Sequence, residues 1–377
     1  MEGGRRMKIL LGGIPLGCDN VGDEAILASV VGLLRGSMPD AEITVCTNDP
    51  LTAGRLSVAV ARPYGFAGVP VFGFGHEAAR HDAYVWCGAT GLSDYPDTAL
   101  DLLDAAQRAG VRTYVWGVGM DDELNPAFFK ASGRRGRILR AFGLSGLYER
   151  ALRQRLRRRI MGILPRCRGV WLRDAGSVGV LAGMGYGAAR VAADSAIAMA
   201  RGLGETAAHR PMRVGLCISA QRKVRDMDGA GGFVATLRSA GAEVIGIPMN
   251  PKTDRHVLES IGVACIGDTE PADVQRAAGE CALVVSSRLH LLILAANAGT
   301  PIVGIERGSK IRNWLAEFGL APDGTVADCD WHAVAAHSLR VLRGDPEWPA
   351  ARAAAYARMD GRLDSALAEF TRALRTP

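Results

Sequence analysis

The chain has 377 residues, 48% hydrophobic and 22% charged, with a formal net charge of +6. Such a composition supplies ample apolar core, and a prior of roughly 150 residues per domain points to two domains. It leaves no room for a bilayer-crossing helix, because no apolar run approaches the roughly 18 residues required.

The start, MEGGRRMKILLGG, sets a basic pair before an apolar stretch. Ile9-Leu10-Leu11 is too short for a signal peptide and runs into Gly12-Gly13 like a first strand. The expected compartment is the cytoplasm, at the inner face of the membrane if the basic segment described below touches lipid. Residues 8–11 read as that strand, and the loop after it holds Pro15, Gly17, Asp19, Asn20 and Gly22. A helix pattern begins near Asp23, with Ala25, Ile26, Leu27, Val30, Val31 and Leu34 apolar at i+3/i+4 spacing. Strand, glycine loop and helix open a Rossmann-like unit that lacks the GxGxxG dinucleotide fingerprint. Further strands are expected at residues 42–46, 69–74, 83–87 and 111–115, with a helix over 98–109. This alternation argues for a parallel sheet.

Residues 134–168 carry twelve arginines against one acid, Glu149. Leu144, Leu147, Ala151, Leu152, Leu156 and Ile160 recur at helical spacing, so the segment is basic and amphipathic. It reads as a solvated helix, as a membrane-surface patch, or as a nucleic-acid contact. No aromatic platform or zinc spacing accompanies the arginines, and no nucleic-acid partner is expected. The second half repeats the α/β pattern, with strands at 170–172, 191–193, 214–218, 243–247 and 263–266. The tail beyond Trp331 is helical. Eight cysteines form no CxxC pair and none has a His at metal spacing, so reduced structural thiols and no metal are expected.

Residues 282–310 organise this second half. Leu283-Val284-Val285 suits a buried parallel strand, Ser286 and Ser287 are helix-capping types, and Arg288 and His290 open a helical run that Gly299 and Pro301 close. A cation, an imidazole and free N–H groups are thereby expected at the carboxyl end of a strand, where open α/β sheets bind anions. Arg173 and Lys310 also follow predicted strands. Two arginines and a lysine suit a ligand bearing a carboxylate and a phosphate. A histidine among them suits a general acid. The predicted architecture is two Rossmann-like domains facing a cleft, similar to the GT-B fold. Residues 1–165 would form the acceptor side, ending in the basic segment. Residues 166–340 would form the donor side, and 341–377 a helical tail packing back on the first domain.

Ser287-Arg288-Leu289-His290, followed by Thr300-Pro301 and Lys310, resembles the signature of the polysaccharide pyruvyl transferases. Asn20-Val21-Gly22-Asp23-Glu24-Ala25-Ile26-Leu27 resembles that family's N-terminal block. The resemblance runs from Met7 to about Gly319. It implies a phosphoenolpyruvate co-substrate, no other cofactor, and a sugar or glycan acceptor, lipid-linked in some settings. His290 would protonate the methylene carbon while Arg173, Arg288 and Lys310 hold the anions. Ser287 and Asn20 are further expected substrate contacts. Asp23 or Glu24 would orient or deprotonate the acceptor hydroxyl, although acids in a first helical turn also simply complement the dipole. Arg173 could equally pair with Asp174, and Asp194 matches a family position or caps a loop.

Where the family carries consecutive glycines after its third strand, this chain has Cys87-Gly88-Ala89-Thr90-Gly91. That change leaves the acceptor open between a polysaccharide repeat and a smaller sugar-bearing molecule. Two other readings remain: a GT-B glycosyltransferase, with Glu306 as the ribose-binding acid, and a non-catalytic member that keeps the fold.

Overall fold

In the computed structural model, residues 6–125, 129–130, 137–139, 141–203, 210–220 and 224–376 are described. The chain divides into two compact units. The first comprises residues 1–18, 30–194 and 362–377, and the second residues 19–29 and 195–361.

The first unit is built on seven parallel strands: β1 (Lys8–Gly12), β2 (Glu42–Cys46), β3 (Ala59–Ala61), β4 (Ala83–Cys87), β5 (Arg112–Val118), β6 (Gly169–Leu172) and β7 (Arg190–Val191). Their order is β3-β2-β1-β4-β5-β6-β7. Every residue of β4 is buried, as a central parallel strand covered on both faces requires. The last turns of the Trp348–Arg375 helix close one face of this sheet. Phe370 stacks on Trp116 at 4.8 Å and meets Trp171 and Tyr114 edge-on at 5.5 and 5.6 Å. Tyr114 Oη donates to the Ala373 carbonyl at 2.9 Å.

The second unit holds four parallel strands, β8 (Arg213–Cys217), β9 (Glu243–Gly246), β10 (Leu283–Ser286) and β11 (Ile302–Gly304), in the order β11-β10-β8-β9. Val214, Leu216, Leu283, Val285, Phe233 and Trp331 form the heart of its core. The Leu289–Asn297 helix is buried along its length except at His290.

Three expectations are corrected. The division falls between Asp194 and Ser195, not near 165, because β6 pairs in parallel with β5 through Tyr114↔Gly169 to Val118↔Leu172. The basic helix, Ser145–Ile163, therefore lies within the crossover between two strands of one sheet. Residues 69–74 form no strand: Pro70 has no N–H to give, and Gly68 and Gly73 sit at φ +77° and +87°. Around residues 263–266 only a single bridge, Gly246↔Cys265, extends the second sheet.

Of the basic segment, residues 134–136 and 140 lie outside the described residues. The tail divides as well. The Trp348–Arg375 helix starts in the second unit and ends in the first, at Arg362 and beyond.

Candidate functional site

The carboxyl end of β10 is tied down before any functional side chain is placed. Ser286 is fully buried, and its Oγ accepts from Arg288 N at 2.9 Å. Ser287 N donates to Cys217 O at 2.9 Å, and Ser287 Oγ accepts from Ser219 N at 2.8 Å. Ser287 is fully buried. Its hydroxyl links the ends of β8 and β10. The helix that follows is entered through Arg288, whose backbone is extended, and its first turn carries His290. Lys310 lies in the first turn of the Ser309–Ala316 helix, just beyond β11, and is 6% exposed.

The N-terminal block joins these residues. Segment 19–29, expected on the acceptor-side domain, belongs to the second unit. Val21 N donates to Met249 O at 2.9 Å, anchoring the start of the Val21–Ser37 helix beside β9. Asn20 closes that turn: its carbonyl accepts from Asp23 N at 3.0 Å, its Oδ1 from Gly22 N at 3.2 Å, and its Nδ2 donates to Asp23 Oδ2 at 2.6 Å. The His290 ring packs on Gly22 so closely that a Cβ there would fall 2.3 Å from Nδ1. Only glycine leaves room for the imidazole.

Asp23 is 4% exposed. Burial pushes its carboxyl up to about 6 from the ordinary 3.8, against the opposing pull of His290, the Asn20 hydrogen bond, Arg288 and Lys310. All four partners lie in the same unit as Asp23. A carboxyl in that range can take or give a proton near neutral pH. Glu24, in the same first turn, is partly exposed.

Arg288 differs from expectation. Its Nε and Nη2 fork onto Asp254 at 3.0 and 2.6 Å, and Asp254 is wholly buried. Asp254 also accepts from Asn250 N at 3.0 Å and Ala220 N at 3.3 Å. Much of the guanidinium fork is thus committed to a carboxylate of the protein, and the pair is close to neutral. Lys310 is the second buried cation of the group. Asp254 was not singled out from sequence. Its one local sign is its place three residues after Pro251, in the first turn of the Pro251–Ser260 helix.

Arg173 lies in the first unit, at the end of β6. It is 5% exposed, pairs through Nε with Asp174 at 3.2 Å, and packs against Gly119. Burial opposes its charge, but Asp174, Asp194 and Asp121 outweigh that and hold the guanidinium firmly protonated. Its Nη2 is buried without a hydrogen-bond partner. Among the described residues no group of three His, Cys, Asp or Glu side chains could hold a metal ion. None of their helices is long and apolar enough to cross a membrane.

The model of the family described as polysaccharide pyruvyl transferase matches residues 20–309, from the Asn20 turn to the residue before Lys310. The chain belongs to that family. No protein of curated function matches it.

Solved structures place this pyruvyl transferase family member in the GT-B fold class. Anabaena HepE in complex with UDP and glucose superposes with a TM-score of 0.57 at 12% identity, over 99% of this chain and 100% of that one. UDP-GlcNAc 2-epimerase from Neisseria meningitidis, bound to UDP-GlcNAc, gives 0.56 at 8% identity, over 98% and 100%. The spinosyn rhamnosyltransferase SpnG gives 0.53 at 16%, over 99% and 100%. At such identities the likeness is one of fold. Glu306, the expected ribose-binding acid of a glycosyltransferase, is ion-paired with Arg312 at 2.6 Å.

Proposed function

We propose that the protein transfers the pyruvyl group of phosphoenolpyruvate to two hydroxyls of a sugar acceptor, forming a pyruvate ketal and releasing phosphate. The observation that carries this reading is the buried Asp23 carboxyl, raised to about 6 and grouped with His290, Arg288 and Lys310. A substrate with a carboxylate and a phosphate meets Lys310, the N-terminal turns of the two helices that bear His290 and Lys310, and the remaining donors of Arg288. Its arrival adds negative charge, which pushes the Asp23 carboxyl further toward its proton-bound form. The site is thereby loaded with a proton when the enol is present.

The steps balance. His290 gives a proton to the methylene carbon, making a methyl group and an oxocarbenium-like C2. One acceptor hydroxyl attacks C2 and its proton returns to the Asp23–His290 pair. The second hydroxyl attacks as the C2–O bond to phosphate breaks, and its proton leaves with the phosphate. No metal or further cofactor enters the scheme. The acceptor is a sugar or glycan, and a lipid-linked sugar fits the same chemistry.

The test compares ligands by thermal stability, then products by phosphate release. A ligand at about 100 times its dissociation constant stabilises the fold by roughly 2.7 kcal/mol. Stabilisation by phosphoenolpyruvate that disappears in Lys310→Ala, with sugar-dependent phosphate release lost in His290→Gln, is the expected result. Stabilisation by a nucleotide sugar and not by phosphoenolpyruvate would overturn the reading in favour of a glycosyltransferase. Indifference to both, across an acceptor panel, would favour a non-catalytic member.

A further inference from the structure

We propose that the outward face of the Ser145–Ile163 helix, with the apolar residues just before it, docks on an anionic lipid surface. The inward half of this helix is accounted for by packing. Leu156, Ile160 and Ile163 are buried. Arg159 pairs with Asp97 and Asp101, Arg155 with Asp97, and Arg166 with Asp104, all three acids on the Pro96–Arg108 helix. Those arginines are ordinary inter-helix ion pairs.

The outward half is different. At 3.6 residues per turn, Leu147, Gln154, Arg158 and Met161 fall within about 60° of one another, opposite Leu156. Arg150 and Arg157 lie along one edge of that stripe, and Arg153 lies beyond them. All of these residues are exposed. Among the described residues, Arg150, Arg153, Arg157 and Arg158 have no carboxylate within ion-pair distance. The one acid of the segment, Glu149, is half-buried.

Apolar exposure concentrates in the same place. Ile138, Phe142, Leu144, Leu147 and Met161 are 52, 74, 43, 61 and 42% exposed, and they supply five of the ten exposed large hydrophobics among the described residues. Isolated exposed apolar residues are normal, whereas a cluster beside unpartnered cations is not. A membrane interface satisfies both features. Phe142, Leu144 and Leu147 enter the acyl boundary, and the arginines reach anionic headgroups while their aliphatic stems stay near the apolar zone. A nucleic acid would take the arginines but give nothing to the aliphatic Ile138, Leu144, Leu147 and Met161, and the face offers one exposed aromatic, Phe142, rather than a row of stacking rings.

The test is co-sedimentation of the full-length protein with phosphatidylcholine vesicles, with and without phosphatidylglycerol. A labelled single-stranded oligonucleotide is assayed in parallel. Binding is expected only with phosphatidylglycerol, falling as salt is raised. Each arginine is worth roughly fivefold near such a surface, so Arg150→Ala, Arg153→Ala, Arg157→Ala and Arg158→Ala together should weaken binding on the order of several hundredfold. The melting temperature should be unchanged, because these side chains make no internal ion pair. Phe142→Ser with Leu147→Ser should weaken vesicle binding while leaving any oligonucleotide binding alone. Absence of binding to charged vesicles overturns the proposal. So does binding that the arginine variant retains, or oligonucleotide binding accompanied by vesicle binding indifferent to the two serine substitutions.

Discussion

Gly22 and His290, far apart in the chain, touch: a Cβ on Gly22 would lie 2.3 Å from the imidazole Nδ1 and 2.7 Å from Cγ. The contact explains why a glycine stands in the first turn of a helix, where it is otherwise unfavourable by up to about 1 kcal/mol relative to alanine. It also locates His290 against the backbone that carries Asp23.

A double-mutant cycle reads this contact directly. Gly22→Ala alone should swing the ring from its place and cut turnover about a hundredfold, the scale expected of a 1 Å misplacement. In the His290→Ala background the same change should raise stability by as much as about 1 kcal/mol, since the clash is gone and helix propensity improves. Equal effects of Gly22→Ala on the melting temperature in both backgrounds would show that the two residues are uncoupled.

Arg288 and Asp254 make a second testable pair. Asp254→Ala leaves a buried guanidinium uncompensated and two backbone N–H groups without their acceptor, and should cost about 3–5 kcal/mol. Asp254→Leu combined with Arg288→Met removes both charges and should recover part of that loss. The double variant should still fail to bind phosphoenolpyruvate. Denaturant unfolding of the three proteins decides the matter: a single variant no less stable than the double would contradict the ion-pair account.

How much of this was legible follows from what is local. The strand–loop–helix of residues 282–310 could be read because a continuous apolar run, a pair of serines and a Gly–Pro stop all lie within one stretch of chain. Asp254 could not, because its partners are Arg288 and the turn after β8, and nothing near residue 254 announces either. The assignment of segment 19–29 failed for the same reason: Val21 N finds its acceptor at Met249, in the other half of the sequence. The boundary expected near 165 sits where the basic segment ends. What overrules it is parallel pairing of β5 with β6, a contact invisible to composition.

Phe370 tests the division into units from the far end of the chain. Its ring fills the space between Trp116, Trp171 and Tyr114 and is 1% exposed. Phe370→Ala should cost about 3–5 kcal/mol, the usual range for removing a large buried aromatic. The residues grouped around Asp23 belong to the other unit, so the affinity for the proposed donor, phosphoenolpyruvate, should be little changed below the new melting temperature. A large loss of affinity with little loss of stability would place Phe370 in the site instead.

Asp23 should show the opposite trade, stability gained as function is lost. Its carboxyl titrates near 6 in the folded protein and near 3.8 in the unfolded chain. The folded state therefore holds the proton more tightly. Below about pH 4 both states are protonated and the group costs nothing. As pH rises from 4 through 6 the unfolded chain ionises first and stability falls, and above 6 the penalty is constant at about 3 kcal/mol. Asp23→Asn mimics the protonated form. It should be more stable than the parent at pH 7.5 by up to that amount, with the difference shrinking toward zero as pH falls below the unfolded value of 3.8. The proposed ketal transfer should fall by a factor on the order of 100 to 10,000, as for loss of a general acid–base group. Melting curves of the two proteins across this pH range check the sign. A variant less stable at pH 7.5 than the parent would mean that ionised Asp23 is held by its cations more strongly than burial opposes it, and would return the residue to a structural role.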